Sequence, residues 1–212
     1  MNMMDPFPRE TTLEAGGAVK GVAVAIVRQN QDDSGQGRVK VTYPWHAQPR
    51  NSYWARVASP MAGKNRGTFF IPEVDDEVLV AFERGDVRFP YVLGSLWNGV
   101  DKSPASNSDG KNDIRMIKTR KGHKLTFDDG SKGLVRLELN DGKKLELDDD
   151  GIKLDDGKGN KLVIETKGGS ISIESKVSLS LKAPKIEIAA TGDMKLTAGA
   201  LLTVQGSIVK IN

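Results

Sequence analysis

Cysteine is absent from the chain, and only two of its 212 residues are histidine, His46 and His123. The first absence removes a disulfide framework, a thiolate metal site and a thiol nucleophile together. The second leaves two isolated imidazoles with no neighbouring ligand, and ordinary surface or packing roles are expected for both. No run approaches the roughly 18 consecutive apolar residues that a membrane helix needs. The first residues, MNMMDPFPRETTLEAGG, lack a basic start, and Asp5, Pro6 and Pro8 interrupt any apolar stretch, so no signal peptide is expected. The net charge is only +3, with Lys and Asp interspersed, and no nucleic-acid partner is expected. The chain also lacks a Gly-x-Ser-x-Gly elbow, a phosphate loop and a His-Glu-x-x-His pair. Acidic residues are plentiful, yet nothing places two carboxylates across a cleft. No catalytic residue, metal site or cofactor is assigned.

Aromatic rings are scarce in one half only. Trp45, Trp54, Trp97, Tyr43, Tyr53 and Tyr91 all precede residue 98, and beyond it Phe127 is the one ring. A compact core uses large rings to fill its volume, whereas thin repeated layers have no room for them. This asymmetry predicts an arm over 1–20, a globular domain over 21–99, a linker rich in Ser, Asp, Gly and Pro over 100–114, and a repeat region over 115–212.

The first half reads as short strands. Val22 to Val27 is an apolar β-branched run, and Arg38 to Tyr43 alternates, ending at Pro44. Tyr53 to Ala58 is a third strand, Pro60 to Gly67 a loop, and Thr68 to Ile71 a short strand stopped by Pro72. Glu77 to Glu83 and Tyr91 to Leu96 complete the set. Tight turns and the lack of an amphipathic helix predict a small antiparallel barrel. Val39, Val41, Trp54, Val78, Val80, Phe82 and Leu93 are its expected core or inter-subunit seam.

The second half repeats an apolar-x-apolar unit with turn residues between units. After Leu125/Phe127 and Leu137/Leu139 come Leu145/Leu147, Ile152/Leu154, Leu162/Ile164, Ile171/Ile173, Leu179/Leu181, Ile186/Ile188, Met194/Leu196, Leu202/Val204 and Val209/Ile211. From Leu145 the step is seven to ten residues. A fixed short period is the mark of a repeat architecture. Period-two alternation buries one sheet face and wets the other. One strand and one turn make one wall, too little to enclose a core, and a lone chain would leave strand edges open. Three chains around one axis resolve both problems, so a homotrimer is expected. The pairs from Leu145 through Val204 form the expected core of this intertwined trimeric β-helix, a triangular prism. Later units carry Ala189, Ala190, Ala198 and Ala200, which predicts a slimmer distal part. The strand Val209-Lys210-Ile211-Asn212 is the expected tip surface, reached by no tail.

The segments GRVKVTYPW (37–45), YWARVASPMAGKNRGTFFIPEVDDEVLVAFERGD (53–86) and FPYVLGSLWNG (89–99), in this order, resemble the OB-fold domain of phage baseplate spikes and their VgrG relatives. The repeats that follow resemble the trimeric β-helix of the same family. Two parts of some members have no counterpart here: a lysozyme-like domain between barrel and helix, and a large N-terminal hub region. The resemblance implies the central spike of a contractile injection apparatus, assembled in the cytoplasm into a virion or contractile particle and driven outward on contraction. It also implies a separate trimeric hub protein, a conical PAAR-type protein capping the C-terminal end, and transient contact with the target membrane. Some members bind metal through His-x-His near the end, which this chain lacks. The acidic clusters Asp148–Asp150 and Asp155–Asp156 read as solvated turns before calcium loops, having no EF-hand spacing. A trimeric fibre or binding module remains the alternative, with glycan or nucleic acid meeting Trp45, Tyr53, Trp54, Lys64 and Arg66 on the barrel. A single-chain polysaccharide-cleaving β-helix would need much longer coils.

Overall fold

A computed structural model describes residues 19–46 and 51–211. Most of the expected arm and the terminal Asn212 lie outside the described residues. The chain divides into two compact units, Met1–Ser108 and Asp109–Asn212. Among the described residues, all regular structure is β apart from one 3-10 turn at Glu83–Gly85.

The first unit is built from β1 (Val22–Gln29), β2 (Lys40–Thr42), β3 (Arg56–Val57), β4 (Ala62–Gly63), β5 (Arg66–Gly67), β6 (Glu77–Phe82) and β7 (Pro90–Ser95). Five of these form one sheet in the order β2-β1-β6-β7-β3. All neighbours are antiparallel except β3 and β7, which run parallel. A bridge between Val39 and Ala55, with backbone bonds of 3.0 and 2.7 Å, joins the β2 end to the β3 end and closes the barrel. Register shifts in β1 at Val27/Gln29 and in the β6–β7 pair at Leu79/Val80 supply the bending that closure requires. Alternating residues turn inward: Ala25 and Val27, Val39 and Val41, Val78, Val80 and Phe82, and Val92 are all buried. The β-branched valines among them suit a narrow barrel interior.

Three local expectations change here. The Tyr53 to Ala58 run pairs only at Arg56–Val57, with Ala55 making a bridge. The Pro60 to Gly67 loop contains the β4–β5 hairpin, turned by Asn65 at φ 55°. Thr68 to Ile71 makes no ladder, and Phe69 and Phe70 point outward. Their aromatic β-propensity has no neighbouring strand to act on.

The second unit is a single seven-stranded antiparallel sheet. Its strands are β8 (Ile114–Lys118), β9 (Lys124–Asp128), β10 (Leu134–Glu138), β11 (Lys144–Asp148), β12 (Gly151–Asp155), β13 (Lys161–Glu165) and β14 (Ser170–Glu174), paired in chain order. Each strand has five residues and each pairs with the next through a short turn. The turns are shaped by their own Asp side chains: Asp148 accepts from the backbone N–H groups of Asp150 and Gly151, and Asp155 from that of Gly157. Asp156 accepts from the N–H groups of Lys158 and Asn160. Beyond Glu174 no described residue belongs to a strand.

The distal repeats, expected to form the core of a trimer, have no cover within one chain. Leu179, Leu181, Ile186, Ile188, Met194, Leu196, Leu202 and Val204 are expected to be buried, but within one chain every one of them is exposed. Leu181 is 64% exposed, Ile188 70% and Leu196 68%, so the second member of each pair is no better covered than the first. The physical reason is that this segment forms no ladder and packs against no second layer of its own chain.

Candidate functional site

The two faces of the seven-stranded sheet differ in chemistry. The register aligns Ile117, Leu125, Leu137, Leu145, Leu154, Leu162 and Ile173 in one row across all seven strands. A second row on the same face is Arg115, Phe127, Val135, Leu147, Ile152, Ile164 and Ile171. Two continuous apolar ridges therefore run the length of the sheet, broken only at Arg115, whose guanidinium is held by Asp129.

The opposite face carries Met116, Thr126, Arg136, Glu146, Lys153, Val163 and Ser172. Ion pairs stitch it together: Arg136 to Glu146 at 2.8 Å, Lys144 to Glu146 at 3.3 Å and Lys124 to Glu138 at 3.6 Å. At the turn end of the sheet, Lys132 and Lys167 both reach Asp150, and their hydrogen bonds hold its carboxyl below the usual range. These charges mark the wet side.

The apolar side is uncovered in one chain. Leu154 is 47% exposed and Ile173 54% exposed. Leu147, Ile152 and Ile171, expected in a core, are exposed for the same reason: the layer that would cover them is not part of this chain. A groove of about 720 Å³ runs along the first row, lined by Leu137, Leu145, Leu154, Leu162, Ile173 and Leu179. An open apolar face of this extent marks an interaction surface.

Of the pairs singled out from the sequence, Leu145/Leu147, Ile152/Leu154, Leu162/Ile164 and Ile171/Ile173 occupy these two rows together. The structure does not bring Leu179, Leu181, Ile186, Ile188, Met194, Leu196, Leu202 or Val204 into either row; all lie past the last strand. Val209, Lys210 and Ile211 are likewise exposed at the end of the described chain. In β10 the rows take Val135 and Leu137, and Leu139, directly after the strand, lines the same groove with its N–H bonded to the Lys143 carbonyl. The segment Val135-Arg136-Leu137-Glu138-Leu139 alternates throughout, so carrying the frame back two positions finds Val135.

In the barrel, Val39, Val41, Val78, Val80 and Phe82 are buried. Trp54 and Leu93 are not in that core. Leu93 is the extra residue where the β6–β7 register slips, which turns it outward. Trp54 is half-buried on the outer surface, with Lys40 Nζ 4.8 Å and Arg38 Cζ 5.5 Å from its ring centre. Trp45 packs on Tyr43 and donates its indole N–H to the Val24 carbonyl at 3.2 Å, and Tyr53 stacks on Phe89. Tyr43 donates to the Val87 carbonyl at 2.9 Å, and burial pushes its hydroxyl pKa up. Asp32 is clamped by Arg38 at 2.8 Å, and that bond holds its carboxyl well below the usual range. Among the described residues no group of His, Asp or Glu is arranged to hold a metal ion. No helix there is long and apolar enough to cross a membrane.

A closed five-stranded barrel followed by a sheet with an open apolar face defines a class: an OB domain carried on an oligomerisation domain. Comparison with known families agrees on both parts. Residues 23–97 match the type VI secretion system/phage-baseplate injector OB domain, and residues 114–177 match the phage baseplate V C-terminal trimerisation domain. The second match spans the seven-stranded sheet.

Among curated proteins, the type VI secretion system spike protein VgrG3 of Vibrio cholerae is 34% identical over 101 residues, 44% of this chain and 10% of that protein. VgrG5 of Pseudomonas aeruginosa is 36% identical over 114 residues, 52% of this chain and 14% of its own length. VgrG1a of the same organism is 38% identical over 72 residues, 32% of this chain and 11% of its length. The match thus spans no more than about a seventh of these relatives. The chain belongs to the VgrG-type baseplate spike family. The segments shared with such spikes are the OB domain and the region that follows it.

Proposed function

We propose that three copies of this chain form the central spike of a contractile injection apparatus, which pierces the target envelope mechanically when the apparatus contracts. The observation that carries this reading is the pair of apolar rows on the uncovered face of β8–β14. Geometry favours three copies. A five-residue strand is about 17 Å long, and packed sheets lie about 10 Å apart. An equilateral triangle with sides of about 17 Å has its centre about 5 Å from each wall, half that sheet spacing. Three such sheets therefore bring their apolar rows to a common axis without a void, while a square of four would leave a hollow.

The distal residues extend the same logic. Once buried, their backbone groups would need hydrogen-bond partners, and no ladder within the chain supplies them. Winding with the equivalent segments of two other chains supplies both partners and cover for Leu179 through Val204, giving the intertwined prism. A prism bonded around its circumference and dry inside is stiff, as a piercing device must be. On this reading the barrel docks a trimeric hub, the distal end carries a PAAR-type conical cap, and the assembled particle brings the tip to the target membrane. The domain limits 21–99 and 115–212 describe the docking and piercing parts.

Light scattering on the purified chain tests the central claim. Three times the chain mass, persisting on dilution, is expected. A monomer overturns it.

A further inference from the structure

The barrel's outer surface carries apolar residues that the barrel itself does not use. On the outward side of β1, β6 and β7 lie Val22, Val24, Leu79, Ala81 and Leu93; the register sets Val24 opposite Leu79 and Leu79 opposite Gly94. Val22 is 55% exposed, and Gly94 leaves open space beside Leu79. A second apolar group stands on a different element, the loop carrying the β4–β5 hairpin. There Phe69 is 80% and Phe70 63% exposed, beside exposed Met61. The loop follows β3, which pairs with β7 and, through the Ala55 bridge to Val39, adjoins the β2 end.

Two unlike apolar surfaces on one domain are what a cyclic trimer requires. A threefold interface is heterologous: one surface of each subunit meets a different surface of the next. A twofold interface would need only one self-complementary patch. Charge agrees with the pairing, since the hairpin tip presents Lys64 and Arg66, while Glu77 stands on β6 at the end of the stripe. The trimerisation match begins at residue 114, and β7 ends at Ser95. A connection of fewer than twenty residues holds three barrels within a tether of at most about 60 Å, at an effective concentration on the order of millimolar.

We propose that the three barrels form a ring in which the Met61/Phe69/Phe70 loop of each copy packs on the Val22/Val24/Leu79/Leu93 stripe of the next. The proposal rests on the trimeric reading above. Within the ring the barrels provide a continuous threefold platform, not three independently swinging domains.

The absence of native cysteine makes the test clean. The full chain carrying both Leu79→Cys and Phe70→Cys, treated with a short bismaleimide, is run under denaturing conditions beside each single variant. The double variant should yield a covalent trimer, and each single variant only monomer, since neither cysteine meets its own copy. Light scattering on the same samples reports assembly independently. A trimeric native mass with no covalent trimer in the double variant overturns the ring. So does cross-linking within one chain, or cross-linking by the single variants. A monomeric native mass removes the trimeric reading itself and the ring with it.

Discussion

Arg136 and Glu146 meet at 2.8 Å across β10 and β11, on the face directly opposite Leu137 and Leu145. The relationship orients the whole sheet. A long charged side chain that finds its partner on one face leaves the other face to apolar groups, and period-two alternation carries that choice through seven strands. The ion pair identifies the solvent side, and the proposed trimer axis lies on the other.

Charge placed on the apolar rows should abolish assembly. Leu145→Asp or Ile164→Asp puts three carboxylates around one dry axis, each costing several kcal/mol to desolvate. The expected outcome by light scattering is monomer, with a barrel that still gives its near-ultraviolet aromatic signal, because the rings other than Phe127 lie in the first unit.

Arg136→Ala should be nearly silent by comparison. A partly exposed pair of this kind contributes about 0–1 kcal/mol. The trimer should persist with a melting temperature lowered by only a few degrees, and high salt should lower the wild type towards the variant.

Gly151→Ala should damage the sheet far more than its turn position suggests. Gly151 has φ +150°, and a Cβ built there overlaps the Ile164 carbonyl oxygen. The β12–β13 ladder must shift to admit it, a change expected to cost about 1–3 kcal/mol or more per chain. Thermal unfolding followed by circular dichroism would show the loss. A melting temperature equal to wild type would contradict the register described here.

The barrel should lose stability at both ends of the pH scale. Asp32 has its folded pKa depressed by the Arg38 bond, so its contribution is present above the ordinary carboxylate value of 3.8 and is lost as pH falls through the lower folded value. Tyr43 has its folded pKa raised by burial, so stability falls as pH rises above the ordinary value of 10.0. Asp32→Asn should flatten the acid limb and Tyr43→Phe the alkaline limb in urea titrations at stepped pH.

Much of the fold is legible in the linear chain. Alternating Val39/Val41 and Val78/Val80/Phe82 announce inward faces, and the recurring pairs from Leu145 to Ile173 announce a sheet with one apolar side. These depend on nearest-neighbour periodicity, which is local. At β10 the spacing alone is ambiguous, because Leu137/Leu139 satisfies the same pattern as Val135/Leu137; the cross-strand register decides between them. Rings and leucines usually favour burial, which is why Trp54 and Leu93 read as core or seam. Barrel closure through Val39 and Ala55, and the bulge at Leu93, turn both outward. Leu181, Ile188 and Leu196 carry the same periodic signal as Leu147 and Leu154, yet one chain leaves them exposed, because periodicity names an apolar side without supplying the layer that covers it.

The sequence by itself determined the all-β class, the two-part division and the alternation that forces an apolar sheet face, because each follows from residue spacing and turn chemistry. Only the tertiary structure decided which face is which, where the rows align, and that the apolar side finds no cover within one chain. Those are relations between strands distant in sequence, set by hydrogen-bond register and by the ion pairs that occupy the opposite face.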